Sequence, residues 1–160
     1  MAVAEFLANW AVTHETRTIL KPSCGDGAFL EGVSMAMSKR GSKNGFVSVD
    51  AVELIEDQAK MAKLKADRLA SEGLRAEVHW DDFFSWIQDV SPDKTWDAVL
   101  GNPPYIRYQY FDRERRFLAQ EIFRKANVKF TMLTNAWVPF VLACVTHLAP
   151  GGRIAMCGSF

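Results

Sequence analysis

The feature that most narrows the fold is an alternation: short apolar runs of strand character take turns with segments of helical period along the whole chain. Such alternation specifies a mostly parallel sheet with helices packed on it, because each parallel strand needs a crossover, usually a helix, to bring the chain back. Val3, Phe6, Leu7, Trp10 and Ala11 fit one face of an opening helix. Thr18-Ile19-Leu20 reads as the first strand, stopped by Pro22 and a glycine loop, and Ala28 to Lys39 as a helix ended by Gly41. A second strand is expected from Phe46 to Glu53, a helix from Glu56 to Ser71 with a stop at Gly73, and a third strand from Arg75 to Trp80. Asp81 to Val90 fits a short amphipathic helix or turn, and Trp96 to Leu100 a fourth strand that ends at Gly101-Asn102-Pro103-Pro104. Trp137, Val141, Leu142, Val145 and Leu148 give a later helix its apolar stripe, which Pro150-Gly151-Gly152 is expected to close before Arg153 to Cys157 begins a fifth strand.

A length of 160 residues is one domain's worth. Lysine plus arginine and aspartate plus glutamate number 19 each, which argues against a dedicated nucleic-acid clamp. The distribution is less even. Between Ile106 and Phe130 stand Arg107, Arg113, Arg115, Arg116, Arg124, Lys125 and Lys129 against Asp112, Glu114 and Glu121, and this segment is expected to face DNA in part, with Phe117, Ile122 and Phe123 on its buried side. Cys24, Cys144 and Cys157 are too few and too scattered for a disulfide framework, and they share no ligand spacing with His14, His79 or His147, so no metal is expected. No apolar run reaches the length of a membrane span, and the N-terminus has no basic segment followed by an apolar one, so a cytoplasmic location is expected.

In a sheet of this kind ligands lie beyond the carboxyl ends of the strands, and four loops there carry chemistry. Gly25 and Gly27, after a strand and before a helix, let backbone approach a ligand closely. Position 30 is Leu30, so the dinucleotide-binding fingerprint lacks its third glycine. Glu53, at a strand end, offers a carboxylate to a pair of ribose hydroxyls. Asp81-Asp82-Phe83-Phe84 offers a carboxylate and an aromatic cover for a purine, with Asp82 expected as ligand and Asp81 as helix cap. Asn102-Pro103-Pro104-Tyr105 carries most of the specificity. The lone pair of an amino group on a planar ring is delocalised, and carbonyl oxygens that accept its N–H groups return density to nitrogen. Asn102 has such a carbonyl in its side chain and Pro103 in its backbone, while Tyr105 presents a flat face for stacking.

These loops in this order resemble the motifs of amino-methyltransferases, specifically the gamma group of adenine-N6 DNA methyltransferases of restriction–modification systems. The likeness runs over nearly the whole chain and implies a Rossmann-like, class I S-adenosylmethionine-dependent fold. By that resemblance Pro22, Cys24, Gly25, Asp26, Gly27 and Phe29 belong to the cofactor loop, Glu53 holds the ribose, Asp82 and Phe83 form the adenine pocket, and Asn102 also faces the cofactor. Asn102, Pro103, Pro104 and Tyr105 match the catalytic motif, so the resemblance implies S-adenosylmethionine as cofactor and double-stranded DNA as partner, its target adenine flipped out of the duplex. The run from Gly101 to Gln109 is especially like the large single-chain members that combine restriction with modification.

The pattern departs from the family at both ends. A Thr-Pro segment expected before Val3 is missing, and the family's two further strands and target-recognition region do not follow Phe160. The expectation is therefore an incomplete catalytic core over residues 1–160, truncated after the fifth strand and without sequence-specific DNA binding of its own. The same tetrapeptide suits a protein glutamine or a ribosomal RNA base, and a non-catalytic cofactor-binding module is the third reading.

Overall fold

The computed structural model describes residues 3–40, 45–104, 110–130 and 137–157. In chain order the elements are α1 (Val3–Ala11), β1 (Thr18–Pro22), α2 (Ala28–Lys39), β2 (Val47–Glu53), α3 (Glu56–Leu69) with a 3₁₀ turn at Ala70–Glu72, β3 (Leu74–Trp80), α4 (Phe83–Asp89), β4 (Trp96–Gly101), α5 (Arg113–Lys125), α6 (Trp137–Thr146) and β5 (Leu148–Met156). The strands form one sheet in the order β3-β2-β1-β4-β5, and each neighbouring pair runs parallel. Strand order reverses between β1 and β4, so the crevice of this sheet opens where those two strands end. Among the described residues no helix is long and apolar enough to cross a membrane.

The two-residue period of the strands divides the interior into two cores. Ile19, Val49, Ala51 and Ala98 face a cluster with Leu30 and Val33 of α2 and Ala62 and Ala66 of α3. Their neighbours Leu20, Val52 and Val99 face the opposite cluster, with Phe83, Phe84, Phe111, Ile122, Phe140 and Cys144. Trp96 joins that second core, and its indole N–H donates to Asp50 at 2.6 Å. Buried on both faces, the central strands read as nearly continuous apolar runs, as parallel strands do.

Three details differ from the sequence expectation. Val3, Phe6 and Trp10 of α1 remain exposed, while Ala8 and Ala11 are buried. The cause is Gly32 of α2, where a Cβ would stand 3.0 Å from the Ala4 carbonyl oxygen, so α1 approaches α2 through small residues. On α5, Ala119 rather than Phe117 accompanies Ile122 and Phe123 inward, and Phe117 is 62% exposed. The Pro-Gly-Gly turn does not close α6. That helix ends at Thr146, and β5 begins at Leu148 and runs through Pro150, Gly151 and Gly152 with a register irregularity against Trp96 and Ala98.

Asp97 fastens the starts of β1 and β4 together. Its Oδ2 accepts from the backbone N–H of Arg17 at 2.7 Å and of Thr18 at 2.9 Å, and from the Thr18 hydroxyl at 3.1 Å. Asp97→Ala strands two amide donors, so it is expected to lower stability by about 2 kcal/mol, and Asp97→Asn by roughly half as much, because its carbonyl still accepts. Urea midpoints at unchanged slope measure both.

Candidate functional site

Beyond the ends of β1, β2 and β4 lies a cavity of about 590 Å³ that draws on all four singled-out loops. Its first wall is the turn after β1. Ser23 (φ 53°), Gly25 (φ 58°) and Gly27 (φ 86°) all take left-handed backbone, which coils the chain tightly into α2. The Cys24 N–H donates to the Val52 carbonyl at 2.8 Å, carrying the β1–β2 pairing one step into the loop. At Gly25 a Cβ would meet nothing within 4 Å, so the backbone faces open space on the cavity side.

Glu53 ties the loops together. It is buried, and its Oε2 accepts the Gly25 N–H at 2.8 Å while its Oε1 accepts the Ile55 N–H at 2.9 Å. Its backbone carbonyl accepts the Asp81 N–H at 3.0 Å. A carboxylate has about four lone-pair sites, so two acceptances leave capacity for a ligand's hydroxyls. The fourth loop is joined to the first by the Ser23 hydroxyl, which donates to the Asn102 carbonyl at 3.2 Å.

Cys24, Gly25, Asp26, Phe29, Glu53, Asp82, Phe83, Asn102 and Pro104 line this cavity, as sequence grouping implied. Asn102 is exposed there and not packed into the interior. Three expected residues stand elsewhere. Pro22 is buried and its carbonyl accepts from Lys21 Nζ; Pro103 is buried behind Asn102; neither belongs to the cavity wall. Gly27 serves packing: a Cβ there would stand 3.0 Å from the Ala62 Cα, so glycine admits α3 against the first turn of α2. Tyr105 lies outside the described residues, as do Arg107, Tyr108 and Gln109.

The roles expected for the paired aspartates are reversed at the cap. The helix starts at Phe83, which makes Asp82 the N-cap: its Oδ1 accepts the Phe84 N–H at 2.8 Å, and its Oδ2 accepts from Arg115 Nε at 2.8 Å. Asp81 is the exposed member, with Oδ1 accepting the Asp82 N–H. Both line the cavity, so the carboxylate less occupied by protein partners is Asp81. Phe83 also stacks on Phe140 with ring centroids 5.0 Å apart, which makes it core as well as wall.

Sequence reasoning overlooked Lys21 and Arg115. Lys21 belongs to β1, is only 2% exposed, and donates to the carbonyls of Pro22 at 3.1 Å and Ser23 at 2.7 Å. Burial pulls its ammonium down to about 8, against the smaller opposing pull of Cys24 and Glu53. A charge inside an otherwise apolar strand pattern was the available signal. Arg115 comes from the basic segment, yet it turns to Asp82 and the cavity. Of the same segment, Arg124 pairs with Glu121 and Lys125 donates to Gln88.

Lys65 of α3 donates to Asp26 at 2.9 Å, and this bond is the main cause holding the Asp26 carboxyl below its ordinary range. Away from the cavity, Asp50, Glu77 and His79 bring ligand atoms within 4.8 Å of one another. Asp50 there already accepts from Trp96 and lies 3.3 Å from Lys94 Nζ, so a cation would displace a lysine.

A family model described as N-6 DNA Methylase matches residues 1–158. The chain belongs to the N-6 DNA methylase family. Among its relatives, the type II methyltransferase M.BanIII of Aneurinibacillus aneurinilyticus is 31% identical over 150 residues, spanning 86% of this chain and 24% of that protein. M.BstVI of Geobacillus stearothermophilus, also a type II methyltransferase, is 22% identical, spanning 89% of this chain and 28% of that protein. The chain thus spans about a quarter of the length of these curated relatives. Solved structures share the fold. The methyltransferase subunit of a type I restriction–modification system from Streptococcus thermophilus superposes with TM-score 0.72 at 18% identity, covering 96% of this chain and 32% of that one. An S-adenosylmethionine-dependent methyltransferase from Agrobacterium tumefaciens superposes with TM-score 0.58 at 15% identity, covering 98% and 44%.

Burial raises the Cys24 thiol to about 11, so this family member should keep it protonated and unreactive although it borders the cavity. Alkylation of Cys24 in the folded chain is expected to be slow at pH 8 and to climb about tenfold per pH unit towards 11. Peptide mass spectrometry after iodoacetamide pulses, with the unfolded chain as control, measures it; fast labelling at pH 8 contradicts the buried thiol.

Proposed function

We propose that this chain is the catalytic core of a methyltransferase that moves a methyl group from S-adenosylmethionine to N6 of adenine in double-stranded DNA, in the manner of restriction–modification systems. The observation that carries the reading is the meeting of two loops at one cavity: Asn102 and Pro104 of Asn-Pro-Pro-Tyr stand on the same space as Gly25 and Glu53. Membership of the N-6 DNA methylase family and likeness to the two type II methyltransferases support the substrate class.

The residues present fit the cofactor. Gly25 leaves an uncrowded backbone edge, Glu53 retains lone pairs for two hydroxyls, and Asp81 with Phe83 offers an acceptor and an apolar wall for a purine. When bound, S-adenosylmethionine supplies a methyl carbon on a positively charged sulfur that leaves as a neutral thioether. Asn102, through its amide oxygen, accepts a hydrogen from the target amino group and localises the lone pair on nitrogen; the family motif assigns the second acceptance to the backbone carbonyl of Pro103, a residue that does not line the cavity here. Tyr105 stacks on the flipped base. Asn102 would hold that nitrogen in line with the methyl carbon, and the nitrogen's surplus proton would pass to solvent. Catalysis of this kind is positioning and electrostatics, and the Ser23 bond to the Asn102 carbonyl supplies part of the positioning. DNA contact by the α5 segment and a cytoplasmic location belong to the same reading.

Asn102→Ala is expected to lower methyl transfer to DNA by about 100-fold or more while S-adenosylhomocysteine affinity stays within about threefold, since the lost carbonyl acts on the reacting nitrogen. Tritium transfer followed by nucleoside analysis, beside calorimetry, reads both. Label appearing in protein glutamine or ribosomal RNA and not in N6-methyladenine would overturn the substrate assignment.

A further inference from the structure

A buried ammonium on the wall of a cavity that is to receive a sulfonium poses a charge conflict. Lys21 cannot withdraw from it. Its Nζ is fixed by the carbonyls of Pro22 and Ser23 and lies 4.6 Å from the centre of the Phe29 ring. Among the described residues its bonding partners are these neutral carbonyls, and no carboxylate lies within ion-pair distance. Among the described residues Arg115 is the other cation on the wall; it is neutralised by Asp82, and Asp26 is held by Lys65.

We propose that Lys21 is a specificity-determining residue that sets the discrimination between the charged cofactor and its neutral product, favouring S-adenosylhomocysteine over S-adenosylmethionine. The inference rests on the cofactor reading above. The two ligands share an adenosine, a carboxylate and an α-amino group, and they differ in the sulfonium methyl. Every interaction with the shared parts therefore cancels in the ratio of their affinities. What remains is the effect of site charge on one positive sulfur, and a fixed ammonium on the wall of the same cavity disfavours it. Two unit charges roughly 10 Å apart at an effective dielectric of about 20 repel enough to change that ratio about tenfold. Methyl transfer disperses the sulfur charge, so the repulsion is relieved as the reaction proceeds.

The groups facing Lys21 leave the sign clear. Glu53 at the end of β2 is the neighbouring carboxylate, and it is tied to two backbone N–H groups. Cys24 in the loop and Cys144 on α6 have thiols that burial pushes up, so both stay neutral in the working range, and α2 contributes the Phe29 ring. Lys21 itself loses its proton near pH 8, which turns the repulsion off in the unaltered chain.

The test is calorimetric titration of S-adenosylmethionine and S-adenosylhomocysteine into the chain, Lys21→Met and Lys21→Arg at pH 7, and into the unaltered chain and Lys21→Arg again at pH 9.5. Expected is a ratio of Kd values, methionine form over homocysteine form, that falls about tenfold in Lys21→Met. In Lys21→Arg it stays within about twofold of the unaltered chain, and between pH 7 and 9.5 it falls in the unaltered chain alone. Should Lys21→Met fail to fold, the pH series on the unaltered chain against Lys21→Arg reads the same quantity without it. A ratio that does not move with charge removal or with pH, while both ligands bind, rejects the role given to Lys21. Binding of neither ligand to the unaltered chain rejects instead the cofactor reading, and this inference with it.

Discussion

The site depends on one buried carboxylate. Glu53 is where the second strand stops, and its two oxygens hold two different stretches of backbone, the glycine turn at Gly25 and its own continuation at Ile55. Its carbonyl holds a third, at Asp81. A carboxylate taken from water has to recover its hydrogen bonds inside, and amide donors recover them at no cost in charge. The residue best placed to meet a ligand is thus also the clamp that sets the distances among three loops. That double duty explains how left-handed backbone at Ser23 and Gly25 persists at a cavity edge: the surrounding bonds over-determine it.

Behind the clamp, rigidity comes from the alternation of the strands. Neighbouring residues on each central strand feed opposite cores, so the sheet cannot slip by one residue without exchanging the contents of both. The aromatic core formed by Phe83, Phe84, Phe111 and Phe140 reaches the cavity floor, so packing and binding surface are continuous there. Lys21 stands apart in this arrangement. A fully buried cation costs stability unless it is well bonded, and two neutral carbonyls give it only partial return.

Most of the architecture was legible in the chain itself. Apart from β5, which begins at Leu148 and not at Arg153, the expected strands and helices fell within a residue or two of their positions because proline, glycine and the change from two- to 3.6-residue period mark the boundaries, as at Pro22, Gly73 and Gly101. Adjacency of the four loops followed from the rule that parallel sheets bind ligands at their carboxyl edge. What was not legible depended on partners distant in sequence. Whether Asp81 or Asp82 caps α4 turns on a one-residue difference in where the helix starts and on Arg115, which lies 33 positions away. Nothing in Val3, Phe6 and Trp10 reveals that Gly32 draws α1 in by its small residues. Arginines in one basic run look alike until the fold sends Arg115 to the cavity and pairs Arg124 with Glu121.

The contact between Gly27 and Ala62 reaches beyond the two residues that make it. Beside the stem of Lys65, the third helix presents only the Ala62 methyl at that crossing, and the turn facing it leaves no room for a Cβ at Gly27. Sequence drift at either position is therefore constrained by the other: a larger residue at 62 forces the start of the second helix outward, and the backbone edge at Gly25 moves with it. Descendants of this chain can vary the outer faces of both helices freely, while the shape of the binding turn is inherited through one pair of small residues that stands off the cavity wall.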